Sequence, residues 1–119
     1  FSVFVVQAQT TTIPDDNFEN YLETHAEFGA VVPIGDPTAM GNGIANDNLV
    51  TTANINTVTF LDVSSVGNIA DLTGIQDFAA LDTLICEANE LTNLDLSQNS
   101  MLTGLFANAN QLIQLMVII

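Results

Sequence analysis

The densest collection of oxygen-bearing side chains lies between residues 36 and 48, where Asp36 precedes the run Gly41-Asn42-Gly43-Ile44-Ala45-Asn46-Asp47-Asn48. Carboxylate and amide oxygens are the ligands calcium prefers, but the regularly spaced acids and closing glutamate of the twelve-residue calcium loop are missing. Asx turns, in which an Asp or Asn side chain bonds the backbone two residues on, account for the same residues without a metal. The other reactive side chains are one cysteine, Cys86, and one histidine, His25. A nucleophilic thiolate needs a neighbouring cation or histidine. Zinc needs more nitrogen or sulfur ligands than this pair supplies. No serine-hydrolase elbow, phosphate loop, metal-ligand cluster or paired-carboxylate arrangement is present. The chain therefore reads as non-enzymatic, with no cofactor and no metal site, calcium at 36–48 being left open.

Fourteen Asp and Glu stand against no Lys and no Arg, a formal net charge of -14 over 119 residues. Nucleic-acid binding is excluded, because phosphate neutralisation requires Lys or Arg. Attraction to anionic lipid is excluded on the same ground. The acids are left to repel one another, to accept hydrogen bonds or to bind outside cations; their bland consequence is solubility. With 48% apolar residues, the chain can form the core of one small domain.

The positioning elements follow from a repeat. Leu81-x-x-Leu84-x-Cys86-x-x-Asn89-x-Leu91-x-x-Leu94-x-Leu96 returns 21 residues later as Leu102-x-x-Leu105-x-Ala107-x-x-Asn110-x-Leu112-x-x-Leu115-x-Val117. A fixed period of that length signals a solenoid. Val58-x-x-Leu61-x-Val63 begins an earlier, longer copy, and Ile69, Leu72, Ile75, Phe78 and Leu81 then fall at steps of three. Such steps suit a 3-10 or extended return segment with one face inward. The fold expected is an α/β-type leucine-rich-repeat solenoid, with a short parallel sheet on the concave face, 3-10 or extended return segments and a helical amino-terminal cap. Positions 1, 4 and 6 of each copy point inward, which makes Cys86 a small core residue. Asn at position 9 turns the chain and bonds backbone groups of the neighbouring coil. One coil cannot cover its own apolar face, so coils must stack.

Positions 3, 5 and 7 point outward and form three columns: Phe60, Thr83 and Gly104; Asp62, Ile85 and Phe106; Ser64, Glu87 and Asn108. Apolar side chains on a solvent-facing strand suggest a binding surface centred on Phe60, Ile85 and Phe106. The competing explanation is that Phe and Ile simply suit strands. Asp62 and Asp95 read as turn or sheet-surface acids.

Ahead of the repeats, Pro14-Asp15-Asp16-Asn17 reads as a helix start, with Asp15 or Asp16 accepting from the first turn. With Asp16 as the cap, Glu19 has the spacing of a capping box. Phe18, Tyr21, Leu22 and Ala26 fall on one helical face, which packs on the open end of the solenoid. Glu19, Glu23 and Glu27 line another face, where they repel mildly. His25 belongs at the edge of the apolar face as a half-buried residue. Residues 29–48, with four Gly and two Pro, are loop. The division expected is 1–9, a residual signal-peptide segment; 10–57, cap and loop; and 58–119, repeats truncated at the carboxy end. The first segment rests on an apolar run ending in Val6-Gln7-Ala8, like the tail of a secretory leader without its charged start. It is too short to span a membrane, which takes about 20 apolar residues.

The run from Leu84 to Asn99 resembles the repeats of secreted bacterial leucine-rich-repeat proteins related to internalins. Asn68-Ile69-Ala70-Asp71-Leu72-Thr73-Gly74-Ile75 looks like the N-x-I-x-D-L-x-x-I pattern of that group, shortened by one residue after Asn68. Ile13-Pro14-Asp15-Asp16-Asn17-Phe18 is similar to the start of their amino-terminal cap. The resemblance spans residues 13 to about 115. It implies a secreted or surface protein that binds a protein or glycan on its concave face. Where Leu94-Asp95-Leu96-Ser97 should recur, the chain reads Leu115-Met116-Val117-Ile118-Ile119. That departure leads to the expectation of a fragment with an uncapped apolar edge prone to self-association. Structural spacing, or service as an accessory domain of a larger secreted enzyme, are the other roles compatible with these residues.

Overall fold

A computed structural model describes residues 3 and 7–117. The signal-peptide reading of 1–9 and the end of the apolar tail fall wholly or partly outside the described residues. Strand β1 (Thr10–Thr12) pairs antiparallel with β2 (Leu49–Thr51), and helix α1 (Asp16–Thr24) and the short α2 (Thr52–Ile55) complete the amino-terminal part. Strands β3 (Phe60–Asp62), β4 (Thr83–Ile85) and β6 (Gly104–Phe106) form a parallel sheet in that order, with Leu61, Leu84 and Leu105 in register.

The return side differs from the sequence expectation. It contains a second parallel pair, β5 (Asn93–Leu96) with β7 (Gln114–Val117), which sets Leu94 opposite Leu115 and Leu96 opposite Val117. The reason is local: Asn93-Leu94-Asp95-Leu96 alternates polar and apolar, and period two is strand spacing. The longer first copy lacks that alternation. Its residues at steps of three form a 3-10 turn, Ile75–Asp77, and bury Ile69, Leu72, Ile75, Phe78 and Leu81 as the spacing predicts.

One core runs the length of the molecule. The cap contributes Ile13, Phe18, Leu22, Val50 and Ile55, and Phe18 stacks on Phe78 with ring centroids 6.2 Å apart. Inward positions Val58, Leu61, Val63, Leu81, Leu84 and Cys86 are buried, and each fully buried aliphatic contributes roughly 1.5–3 kcal/mol. Leu102, Leu105, Ala107 and Leu112 pack on that core but are only partly buried. No further strand covers β6 and β7 among the described residues.

The two position-9 asparagines act alike. Asn89 Oδ1 accepts from Ile69 N (3.1 Å), and its amide donates to the carbonyls of Val63, Cys86 and Glu87. Asn110, 21 residues on, accepts from Leu91 N (3.0 Å) and donates to Cys86, Ala107 and Asn108. These bonds hold the preceding Ala88 and Ala109 in the left-handed region (φ 55° and 57°), a conformation that costs an alanine roughly 1–2 kcal/mol.

In the cap, Asp15 is the N-cap: its Oδ1 accepts from Asn17 N and Phe18 N, both at 3.0 Å. Its Oδ2 accepts from Ala70 N (2.9 Å) and Asp71 N (3.1 Å), tying the helix start to the first repeat. The capping box expected with Asp16 as the cap does not form: with Asp15 as the cap the third helical residue is Phe18, and Glu19 turns inward. Nor do the three stripe glutamates simply repel. Glu19 accepts from Asn48 N (2.7 Å), Glu23 from Asn42 N and Gly43 N (both 2.8 Å), and Glu27 from Thr59 N (2.7 Å). Each pins a different segment of backbone. Gly41 lies so close to the Glu23 carboxyl that a β-carbon there would overlap it.

Glu19 is 1% exposed, and burial, with Asp47 and Glu23 nearby, raises its pKa above the ordinary value despite the Asn48 bond. A raised folded pKa means that the neutral form is favoured on folding. The stability this contributes is full below the unfolded pKa near 4.5 and is lost as pH rises through the folded value. We therefore expect Glu19→Gln, which keeps an acceptor for Asn48 N without the charge, to raise the urea midpoint at pH 7 and to flatten its fall above pH 4.5. Glu19→Ala, which strands that N–H, should lower stability by about 1–3 kcal/mol.

Candidate functional site

The predicted columns exist, and register fixes them. Phe60 pairs with Thr83 and Thr83 with Gly104; Asp62 pairs with Ile85 and Ile85 with Phe106. Ser64, Glu87 and Asn108 follow the strands, and Asn108 Nδ2 donates to Glu87 Oε1 at 3.2 Å. Ser64 donates its N–H and hydroxyl to Asp62 Oδ1 at 2.9 and 2.5 Å. Ile85 is half-buried, while Phe106 is 50% exposed. Neighbouring strands lie about 4.8 Å apart, so Ile85 and Phe106 form one continuous apolar strip.

Phe60 departs from the expectation of a free apolar centre. The cap's Phe28 stacks on it, ring centroids 6.0 Å apart and planes 21° from parallel. Phe28 occupies a 3-10 turn, Glu27–Gly29, has a left-handed backbone (φ 69°) and is 73% exposed. Glu27 fixes this turn beside β3 by accepting from Thr59 N and, at 3.1 Å, from Thr59 Oγ1. The surface is thus composite: the cap lends Phe28, which rides on Phe60 in the column of Thr83 and Gly104, one column over from the strip of Ile85 and Phe106, whose β3 neighbour is Asp62. Sequence periodicity could not find Phe28, since it lies beyond the helix in a turn; the only local signal was the Phe28-Gly29 pair after the acidic stripe.

The other candidates lie apart from this face. Asp36 Oδ1 accepts from Thr38 N (2.8 Å) and Thr38 Oγ1 (2.5 Å), which holds its pKa below the usual carboxylate range. Asp47 accepts from Leu49 N (3.0 Å) and Asn42 Nδ2 (2.8 Å). The loop oxygens thus serve its own turns, and no group of three or more His, Cys, Asp or Glu able to hold a metal occurs among the described residues. Asp95 Oδ1 accepts from Ser97 N and Oγ, and Asp71 Oδ1 from Thr73 N and Oγ1, as Asp62 does from Ser64. These Asp-x-Ser/Thr turns orient carboxylates for local bonding. His25 ends α1, stacks on Tyr21 (3.9 Å) and places Nδ1 2.9 Å from the Tyr21 carbonyl oxygen and 3.0 Å from Thr24 Oγ1. A cleft of about 380 Å³ lies on the return side, between Asp71–Gln76 and β5. No helix among the described residues is long and apolar enough to cross a membrane.

Comparison with known proteins agrees with this architecture. No family model matches the chain. It is 36% identical over 87 residues to Internalin J of Listeria monocytogenes serotype 4b (strain F2365), a match covering 73% of the chain and 8% of that protein. The chain therefore spans less than a tenth of the curated relative it matches. Its structure is similar to the functional domain of InlJ from Listeria monocytogenes, described as including a cysteine ladder, with TM-score 0.60, 31% identity, and coverage of 91% of this chain and 21% of that one. It is also similar in fold to a Clostridium perfringens ZmpB structure of CBM51-2 in complex with GlcNAc and INT domains, with TM-score 0.55, 22% identity, and coverage of 86% and 18%. Sequence and structure together show homology to a stretch of Internalin J.

With one cysteine, this chain builds no ladder of its own. Cys86 is fully buried, and burial, then nearby Glu87, pushes its thiol up to about 11. Labelling of native Cys86 by a disulfide reagent at pH 8 should run on the order of a hundredfold slower than in denaturing urea. Equal rates would show that the thiol is not held in the core.

Proposed function

We propose that the chain is a stretch of a secreted or surface-attached leucine-rich-repeat protein and acts as a non-catalytic adhesion module, binding a protein partner through the concave face of β3, β4 and β6. One observation carries this reading: Ile85 and Phe106 stand side by side on the outward face, and the Phe28–Phe60 stack adds a second apolar patch in the neighbouring column of the same sheet. Strand propensity accounts for Ile and Phe in β4 and β6. It does not account for a strained Phe28 set on the same face from a separate element, and backbone strain of that kind persists where the surrounding structure enforces it. Homology to Internalin J supports a repeat-protein role. A glycan ligand fits this face less well, because Ile85 and Phe106 present apolar surface there in place of a cluster of polar groups. A spacer role would leave the apolar strip without use.

Phe106 is the discriminating residue, because it is half exposed and lies on the outermost strand of the sheet, whereas Phe60 supports Phe28. Phe106→Ser should weaken partner binding at least tenfold, as expected for an aromatic anchor, with the urea midpoint little changed. Unchanged affinity would remove this face from the reading.

A separate observation favours self-association of this chain. Leu115, Met116 and Val117 are 47%, 43% and 43% exposed, and the outer edges of β6 and β7 have no strand partner among the described residues. Such edges pair readily. Sedimentation should show dimers or larger species that increase with salt, as screening relieves the repulsion between like-charged chains. A monomer at all salt concentrations would exclude it.

A further inference from the structure

We infer that the partner segment recognised by the β3–β4–β6 face is cationic: an extended stretch of protein bearing Lys or Arg on both sides of an apolar anchor. This rests on the face being the binding surface, and deepens that reading. Asp62 pairs with Ile85 and Glu87 follows Ile85 two positions on, so these two acids border the strip; the exposed Asp82, just before β4, and Glu27, bonded at Thr59 before β3, stand farther along the same strands. Each has bonds that fix its position without neutralising it. Asp62 Oδ1 accepts from Ser64, Glu87 Oε1 from Asn108, Asp82 Oδ1 from Thr103 Oγ1 and Glu27 Oε2 from Thr59; all of these donors are uncharged.

In most proteins a nearby Lys or Arg would compensate such a rim. Here none exists anywhere in the sequence, and the net charge is -14. No residue of this chain can supply the charge complement, which a cationic partner segment would bring. Carboxylates held in fixed orientation on a scaffold lose little entropy when an ammonium or guanidinium arrives. The apolar strip supplies the desolvated centre, and the acids supply the rim that steers the encounter and sets its sign. A second copy of this chain is the wrong occupant for this face, because it would bring only more negative charge. Nucleic acids, anionic lipids and acidic glycans fail for the same reason.

The test uses two blocked hexapeptides against the full chain, read by fluorescence anisotropy. One has Leu-Phe at its centre with two lysines on each side; the other replaces all four lysines with glutamine. The lysine peptide should bind at least tenfold more tightly at low salt, and lose roughly that factor between about 0.05 and 0.5 M salt, where the screening length shrinks from over 10 Å to under 5 Å. Glu87→Gln should weaken only the lysine peptide, and Phe106→Ser both. Equal binding of the two peptides, lost in Phe106→Ser, would leave the face standing as the site and overturn the cationic preference. Lysine-peptide binding that ignores both variants would be diffuse charge attraction and would overturn the inference together with the face. Absence of binding by either peptide would overturn the inference alone, leaving the face to the partner experiment above.

Discussion

Carboxylate oxygens bonded to backbone N–H groups are what this fold depends on. A chain without Lys or Arg cannot tie its segments together with side-chain salt bridges. It uses the other strong partner of a carboxylate, the amide N–H, in bonds stronger than those between neutral groups. Glu19 and Glu23, one helical turn apart, and Glu27, in the 3-10 turn past the end of the helix, each hold a different stretch of main chain: residue 48, residues 42–43 and residue 59. Asp15 caps its own helix with one oxygen and holds residues 70–71 with the other. Asp77 adds a side-chain bond in the opposite direction, accepting from the Thr11 hydroxyl at 2.7 Å. The bonds of Glu27, Asp15 and Asp77 lock the cap to the first repeat, and those of Glu19 and Glu23 hold the cap's own loop. They also turn a row of like charges, unfavourable on an isolated helix, into the framework of a long loop.

The repeats use a neutral version of the same device. Asn89 and Asn110 bond N–H and C=O groups at the turn between successive strands, and the 21-residue period makes the pattern recur. Asparagine suits this place because its amide accepts and donates at once. The left-handed Ala88 and Ala109 show that these networks outweigh a local backbone preference.

Much of this was legible in the sequence because repetition converts spacing directly into contact. Leu81 with Leu102 and Leu84 with Leu105 reveal register, register assigns faces, and faces assign the columns holding Ile85 and Phe106. What escaped depends on contacts between segments of unlike sequence. Nothing in Glu19-x-x-x-Glu23-x-x-x-Glu27 states that each acid will meet a backbone amide tens of residues away; helical spacing alone predicts repulsion. Phe28 is invisible for a related reason: its position follows from where Glu27 meets Thr59, not from any period. The second parallel pair, β5 with β7, was readable in principle from Asn93-Leu94-Asp95-Leu96. Its strand alternation was masked by the steps of three in the longer first copy.

The partly buried layer at Leu102, Leu105 and Leu112 has a further consequence. In stacked architectures each layer is held by its neighbours, so opening proceeds layer by layer. The first repeat is clamped on one side by the cap's carboxylates and on the other by the fully buried Leu84, Leu94 and Leu96 layer. The β6–β7 layer is held on one side alone among the described residues. In this 119-residue stretch on its own, amide protection will therefore be graded, slowest to exchange near Leu61 and Leu84 and fastest at β7. Taken by itself, this stretch opens like a zipper with one pinned end.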